Sequence, residues 1–190
     1  MLAAGALPAS AQPIAVPAAG SWTHEASGMV FPQTVGAFRR AGIWRYDQAG
    51  LDVSANYHRD TPGPAIASFY VYPMPAGGVP GEACAREFAL RRQELERARP
   101  GARLVREADE AAPAGARSAG AAKLRGRLAA YLFQADFFGP PMTVRSELHL
   151  FCHVGGRWFV KYRLSAPADG AAEAFGAFMA DLAWRFGGTQ

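Results

Sequence analysis

The 190-residue sequence predicts an α+β fold, a mainly antiparallel twisted sheet of about six to eight strands flanked by two principal helices. Three observations carry that expectation. Runs of period-two alternation recur along the chain and are separated by short Gly- and Pro-rich turns, which join antiparallel neighbours. Two segments, 82–99 and 169–186, instead place apolar residues at helical spacing. Half of the residues are apolar and 12 % are aromatic, which supplies a core and disfavours a disordered chain or a coiled coil.

The elements follow in order. Residues 1–20 precede a single domain at 21–190. "MLAAGALPASAQP" resembles the end of a secretory signal peptide, with a short apolar stretch and then Ala9 and Ala11 before Gln12, and residues 14–20 continue as a linker. It has no charged beginning, so either translation starts upstream or the segment is an alanine-rich tail. Export to the periplasm or the exterior is the expectation, a cytoplasmic location the alternative.

From Ser21 the pattern becomes structured. In "LDVSANYHRD", Leu51, Val53, Ala55 and Tyr57 share one face and Asp52, Ser54, Asn56 and His58 the other, the signature of a half-buried strand. Residues 65–72 are its expected hairpin partner across Thr-Pro-Gly-Pro. The helix at 82–99 aligns Cys84, Phe88, Leu95 and Ala98, and Pro100-Gly101 stops it. A short strand at 103–108 leads into the low-complexity loop "EAAPAGARSAGAA". Three strands are expected at 125–136, 142–154 and 157–165. Asp169 then caps a last helix bearing Phe175, Phe178, Met179, Leu182 and Phe186.

This order of elements, with Phe31-Pro32 after the first strand and a hairpin followed by "SAP" and a terminal helix, resembles the PsbP and Mog1-like group, including DcrB-like bacterial envelope proteins. The resemblance implies a twisted antiparallel sheet and a noncatalytic binding or accessory role. It supplies no active site to carry over.

Chemistry is most concentrated in "LHLFCHVGGRWFVKYRLSAP" at 148–167. A three-residue loop of Val154, Gly155 and Gly156 sets Cys152 opposite Trp158, Leu150 opposite Val160 and Leu148 opposite Tyr162. The other face then pairs Phe151 with Phe159, His149 with Lys161 and Glu147 with Arg163. Strand parity sends Cys152 and His153 to opposite faces, and His149 and His153 lie about 13 Å apart at 3.3 Å per residue. No metal site or nucleophile-base pair is expected there. What remains is a candidate binding face of His149, Phe151, Phe159, Lys161 and Arg163, aromatic rings amid cations suited to an anionic, partly apolar ligand. The bland reading is that the protein's own side chains cover both phenylalanines.

Cys84 and Cys152, the only cysteines, both fall on inward faces, and the sequence leaves open whether they are bridged. Ser118 lacks a nucleophile-elbow context, and no phosphate loop, dinucleotide fingerprint or zinc spacing occurs, so no cofactor is expected. No apolar run approaches the roughly 20 residues that cross a bilayer. The net charge of +4 is arginine-rich but interleaved with acids, which argues against nucleic acid and leaves only anionic-lipid contact as a basic-surface role. The expected function is an exported, noncatalytic binding or accessory protein of the cell envelope, with an unidentified protein or small-molecule partner. The alternative is an enzyme assembling His24, His58 and His149.

Overall fold

Residues 53–59 and 65–73 alternate apolar and polar side chains, and in the computed structural model they form a regular hairpin, β6 (Val53–Arg59) and β7 (Ala65–Pro73), with Val53 opposite Val71 and Tyr57 opposite Ala67. The structure describes residues 12–77, 79–119 and 124–186. Around this hairpin the α+β expectation is met. Preceding it are β1 (Ile14–Ala15), β2 (Trp22–Thr23), β3 (Val30–Phe31), β4 (Thr34–Val35) and β5 (Phe38–Arg45). Following it are α1 (Pro80–Ala98), β8 (Arg103–Ala111), a 3-10 helix (Ala114–Ala119), β9 (Arg125–Asp136), β10 (Pro141–Val154), β11 (Trp158–Pro167) and α2 (Ala171–Asp181). The large sheet runs β1-β5-β6-β7-β11-β10-β9-β8, antiparallel throughout, with β4 also paired to β5 and β2-β3 a separate hairpin.

Each face of this sheet carries a helix, and that sets what the strand residues beneath it do. On one face Phe69, Phe151, Val160, Tyr162 and Leu164 meet Phe175, Phe178, Leu182 and Trp184 from α2 and the segment after it. On the other, Phe88 and Leu95 of α1 lie over Ala129, Tyr131, Leu148, Leu150, Cys152 and Phe159. Each large apolar side chain withdrawn from water contributes about 1.5–3 kcal/mol, so the two layers hold the helices without help from capping. Cys84 and Cys152 form a disulfide with Cα atoms 6.0 Å apart, joining α1 to β10.

Four local expectations are corrected. Residues 14–20 are not a free linker, because β1 pairs with β5, Val16 N–H donates to Ile43 O at 2.9 Å, and Val16 and Ala18 pack on the core. The proposed cleavage point at Ala9 to Gln12 lies almost wholly outside the described residues. Asp169 does not cap α2; the cap position is Gly170 at φ +83, with no side-chain hydrogen bond, a conformation that glycine adopts without a Cβ clash. Ala98 is exposed rather than part of the α1 stripe.

The fourth correction is the register of the β10–β11 hairpin. The loop is Gly155, Gly156 and Arg157, closed by Val154 opposite Trp158, and a bulge at Cys152 and His153 takes up one residue, with His153 at φ +59. Below the bulge Phe151 therefore opposes Val160, Leu150 opposes Lys161, His149 opposes Tyr162 and Leu148 opposes Arg163. A shift of one residue exchanges the faces of one strand relative to the other.

Candidate functional site

The corrected register divides the expected binding face. His149 and Phe151 point toward the α2 layer, whereas Phe159, Lys161 and Arg163 point toward α1. Phe151 is fully buried against Tyr162 and Trp184, and Phe159 against Tyr72, so the protein's own rings cover both phenylalanines. Cys152 is consumed by the disulfide, and His153 is exposed on the bulge.

His149 enters a closed charge cluster. Its Nδ1 lies 2.8 Å from Glu110 Oε1 and its Nε2 3.0 Å from Glu147 Oε2, while Arg145 holds the other oxygen of Glu147 at 2.6 Å. Both ring nitrogens face carboxylates and both must donate, which makes the ring an imidazolium. Burial by itself would lower its pKa, but Glu110 and Glu147 together outweigh burial and hold it above the ordinary value. His24 is the opposite case. Its Nε2 donates to Gly50 O at 2.8 Å, leaving Nδ1 to accept from the Ser27 hydroxyl at 2.7 Å, and burial lowers its pKa. This neutral ring, 2 % exposed, pins the turn between β2 and β3. His58 lies on the α1 side of β6, edge-on to Phe138, so the three histidines do not converge on one site.

The α1-side face supplies what the hairpin alone did not. Cross-strand partners align Ser54, Tyr70 and Lys161 in one row and Asn56, Ser68 and Arg163 in the next. α1 lies over β9 and β10, so this half of the face carries no helix of its own and opens as a groove along the α1 rim. Two basins share Tyr70 as their dividing wall. One, of about 260 Å³, is lined by Tyr46, Asp52, Tyr70, Tyr72, Glu87 and Lys161. The other, of about 430 Å³, is lined by Tyr70, Arg99, Phe133, Phe137, Phe138 and Arg163.

Lys161 is only 8 % exposed, with Nζ 3.8 Å from the Tyr70 ring centre and 5.5 Å from that of Tyr72. The nearest α1 acids are already engaged. Glu87 accepts from the Tyr72 hydroxyl and from Arg91, both at 2.7 Å, and Glu94 accepts from Arg91 at 2.6 Å. Among the described residues neither Lys161 nor Arg163 has a carboxylate at ion-pair distance or a hydrogen bond from its side chain. Burial, reinforced by the charges of Arg91 and Arg163 against the weaker opposing pull of Glu94 and Glu87, brings the Lys161 pKa down to about 7. Burial likewise raises Asp52 to about 6, against the pull of Lys161. Arg163 is half-buried, and its pKa is lowered by burial first, with Tyr70 and Glu94 opposing and Arg99 assisting.

A buried cation without a partner is costly unless something neutralises it. The wider cavity at Met74, His153 and Trp158, about 540 Å³, shows no such group. The tyrosine wall was legible in part, because "IASFYVYP" places Ser68, Tyr70 and Tyr72 on the face opposite Ala67, Phe69 and Val71. The contributions of Arg99 and Phe133 come from elements distant in sequence. No clusters of metal-ligating side chains occur among the described residues, and no described helix is long and apolar enough to cross a membrane. No protein-family model, curated protein or solved structure matches the chain.

Proposed function

We propose that this chain is an exported, noncatalytic binding protein of the cell envelope whose ligand presents an anionic group to Lys161 and Arg163. The observation that carries the reading is the pair of cations on one face of β11, Lys161 buried and Arg163 half-buried, neither with a carboxylate at ion-pair distance among the described residues. A ligand anion would supply the missing counter-charge inside a site of low dielectric, where a charge-assisted bond is stronger than in water. The Cys84–Cys152 disulfide supports an oxidising compartment, and the periplasm is the setting that agrees with the leader-like residues 1–11. The element order that suggests PsbP and Mog1-like envelope proteins agrees with the same role.

Native mass spectrometry of the protein recovered from the periplasmic fraction tests this. The expected result is a chain beginning at Gln12 that carries a noncovalent acidic adduct, absent from the Lys161→Met and Arg163→Met variants. A full-length cytosolic chain would remove the export half of the proposal, and an adduct retained by both variants would remove the site.

A further inference from the structure

The second basin indicates what else the ligand must carry. Three phenylalanines meet there. Phe133 lies under the Arg99 guanidinium at 5.4 Å, Phe137 is 8 % exposed, and Phe138 packs edge-on against it at 5.0 Å. Phe138 itself is 58 % exposed and has φ +55, a backbone conformation unfavourable for a bulky side chain. Its ring packs edge-on against Phe137 and, at 6.2 Å, against His58, and leaves the rest of its surface open at the cavity rim. Ile66 and Val144 complete an apolar floor, and Arg163 stands at the Tyr70 end. The basin thus joins these apolar side chains to Ser68 and Ser165, with the cations Arg163 and Arg99 and the Asp136 carboxylate also in its lining.

We propose that the groove takes a small amphipathic acid, its anionic end at Arg163 beside Lys161 and its aromatic or branched apolar body in the Phe133, Phe137 and Phe138 basin. This rests on the anion site proposed above and adds the chemical class of the ligand. Ring stacking on Phe138 and Phe133 would position the body, and the guanidinium, planar and rich in donors, suits a carboxylate, sulfonate or phosphate end. Neither half of such a ligand should suffice. An inorganic anion leaves the apolar floor wet, and a neutral aromatic leaves Arg163 and Lys161 unpaired.

The test is a fluorescence titration with 1-anilinonaphthalene-8-sulfonate, alongside competition by inorganic sulfate and by neutral 1-aminonaphthalene. The wild-type protein should bind the dye one to one, and each competitor should be at least about tenfold weaker. Arg163→Met and Phe138→Ser should each weaken the dye about tenfold or more; Phe138 is exposed, so that variant should keep its fold, as near-UV circular dichroism checks. If sulfate competes as well as the dye binds and Phe138→Ser has no effect, the amphipathic class is wrong while the anion site stands. If Arg163→Met and Lys161→Met both leave dye binding unchanged, or the folded wild type binds no dye, both proposals fall.

Discussion

The amine nitrogen of Lys161 lies 3.8 Å from the centre of the Tyr70 ring, the closest cation-ring contact in the described structure, and no carboxylate among the described residues lies at ion-pair distance from it. The ring offsets only part of the cost of removing that charge from water, since cation-ring attraction contributes about 0.5–2 kcal/mol against several for desolvation. Lys161 is therefore expected to cost the ligand-free fold stability rather than add to it.

Lys161→Met should therefore stabilise the ligand-free fold. The folded pKa of about 7 is below the ordinary 10.5, so the unfolded chain binds more protons between these values and stability rises with pH across that window. Below about pH 7 the penalty is fully present, and the substitution should gain about 1–4 kcal/mol there, with the gain shrinking toward pH 10. Urea unfolding of both proteins at a series of pH values measures it. A Met variant less stable than wild type at neutral pH would mean that Lys161 already has a partner.

The His149 cluster has the opposite sign. Its folded pKa is raised, so its contribution is fully present below the ordinary 6.5 and is lost as pH climbs through the folded value. Glu147, whose pKa is lowered by His149 and Arg145 despite burial, contributes above the ordinary 4.5 and loses its contribution in acid as pH falls through its folded value. His149→Gln should cost about 2–4 kcal/mol near pH 6 and remove most of the alkaline fall in stability. Unfolding midpoints that fall identically with rising pH in both proteins would contradict the assignment.

How much of this was legible in the sequence depends on how many layers cover a strand. The β6–β7 hairpin was read correctly, because Val53, Ala55 and Tyr57 face a core while Asn56 is half-buried and His58 exposed on the opposite face, and alternation reports that contrast directly. β10 and β11 are buried on both faces. There Phe151 and Leu150 are equally apolar though they belong to different layers, and alternation could not choose between two registers one residue apart. The bulge at Cys152 and His153 decided the register, and only the disulfide to α1 and the outward turn of His153 reveal it. Lys161 and Arg163 were read as part of one face with His149, Phe151 and Phe159, which the register divides, whereas their neighbours Arg99 and Phe133 come from elements that only the sheet order brings near.

The Phe151 position makes a sharper structural prediction. A Cβ added at Gly126, its neighbour on β9, would lie 2.4 Å from the Phe151 ring and 2.9 Å from Leu150 O, so the ring occupies the space that a side chain would fill. Gly126→Ala should cost about 1–3 kcal/mol through overpacking, and in a Phe151→Leu background the added cost should shrink. Thermal unfolding of the two singles and the double completes the cycle; full additivity would show that the ring is elsewhere.

The Cys84–Cys152 bond closes a span of 68 residues. Replacing both cysteines by alanine should lower stability by about 2–4 kcal/mol, chiefly through the less constrained unfolded chain. Reduction of the wild type should have a comparable effect, and alkylation of the unfolded, unreduced protein should find no thiol. Two reactive thiols in protein taken from an oxidising compartment would contradict the bond.

The most direct test of the anion site is an NMR titration of Lys161. The chain has only two lysines, Lys123 and Lys161, so selective 13C labelling of lysine gives two side-chain signals, assigned with Lys161→Met. In the free protein Lys161 should titrate near pH 7, and saturation with 1-anilinonaphthalene-8-sulfonate should move that midpoint upward, because a bound anion favours the ammonium form. A free Lys161 that titrates near 10.5, unmoved by the dye, would contradict the account.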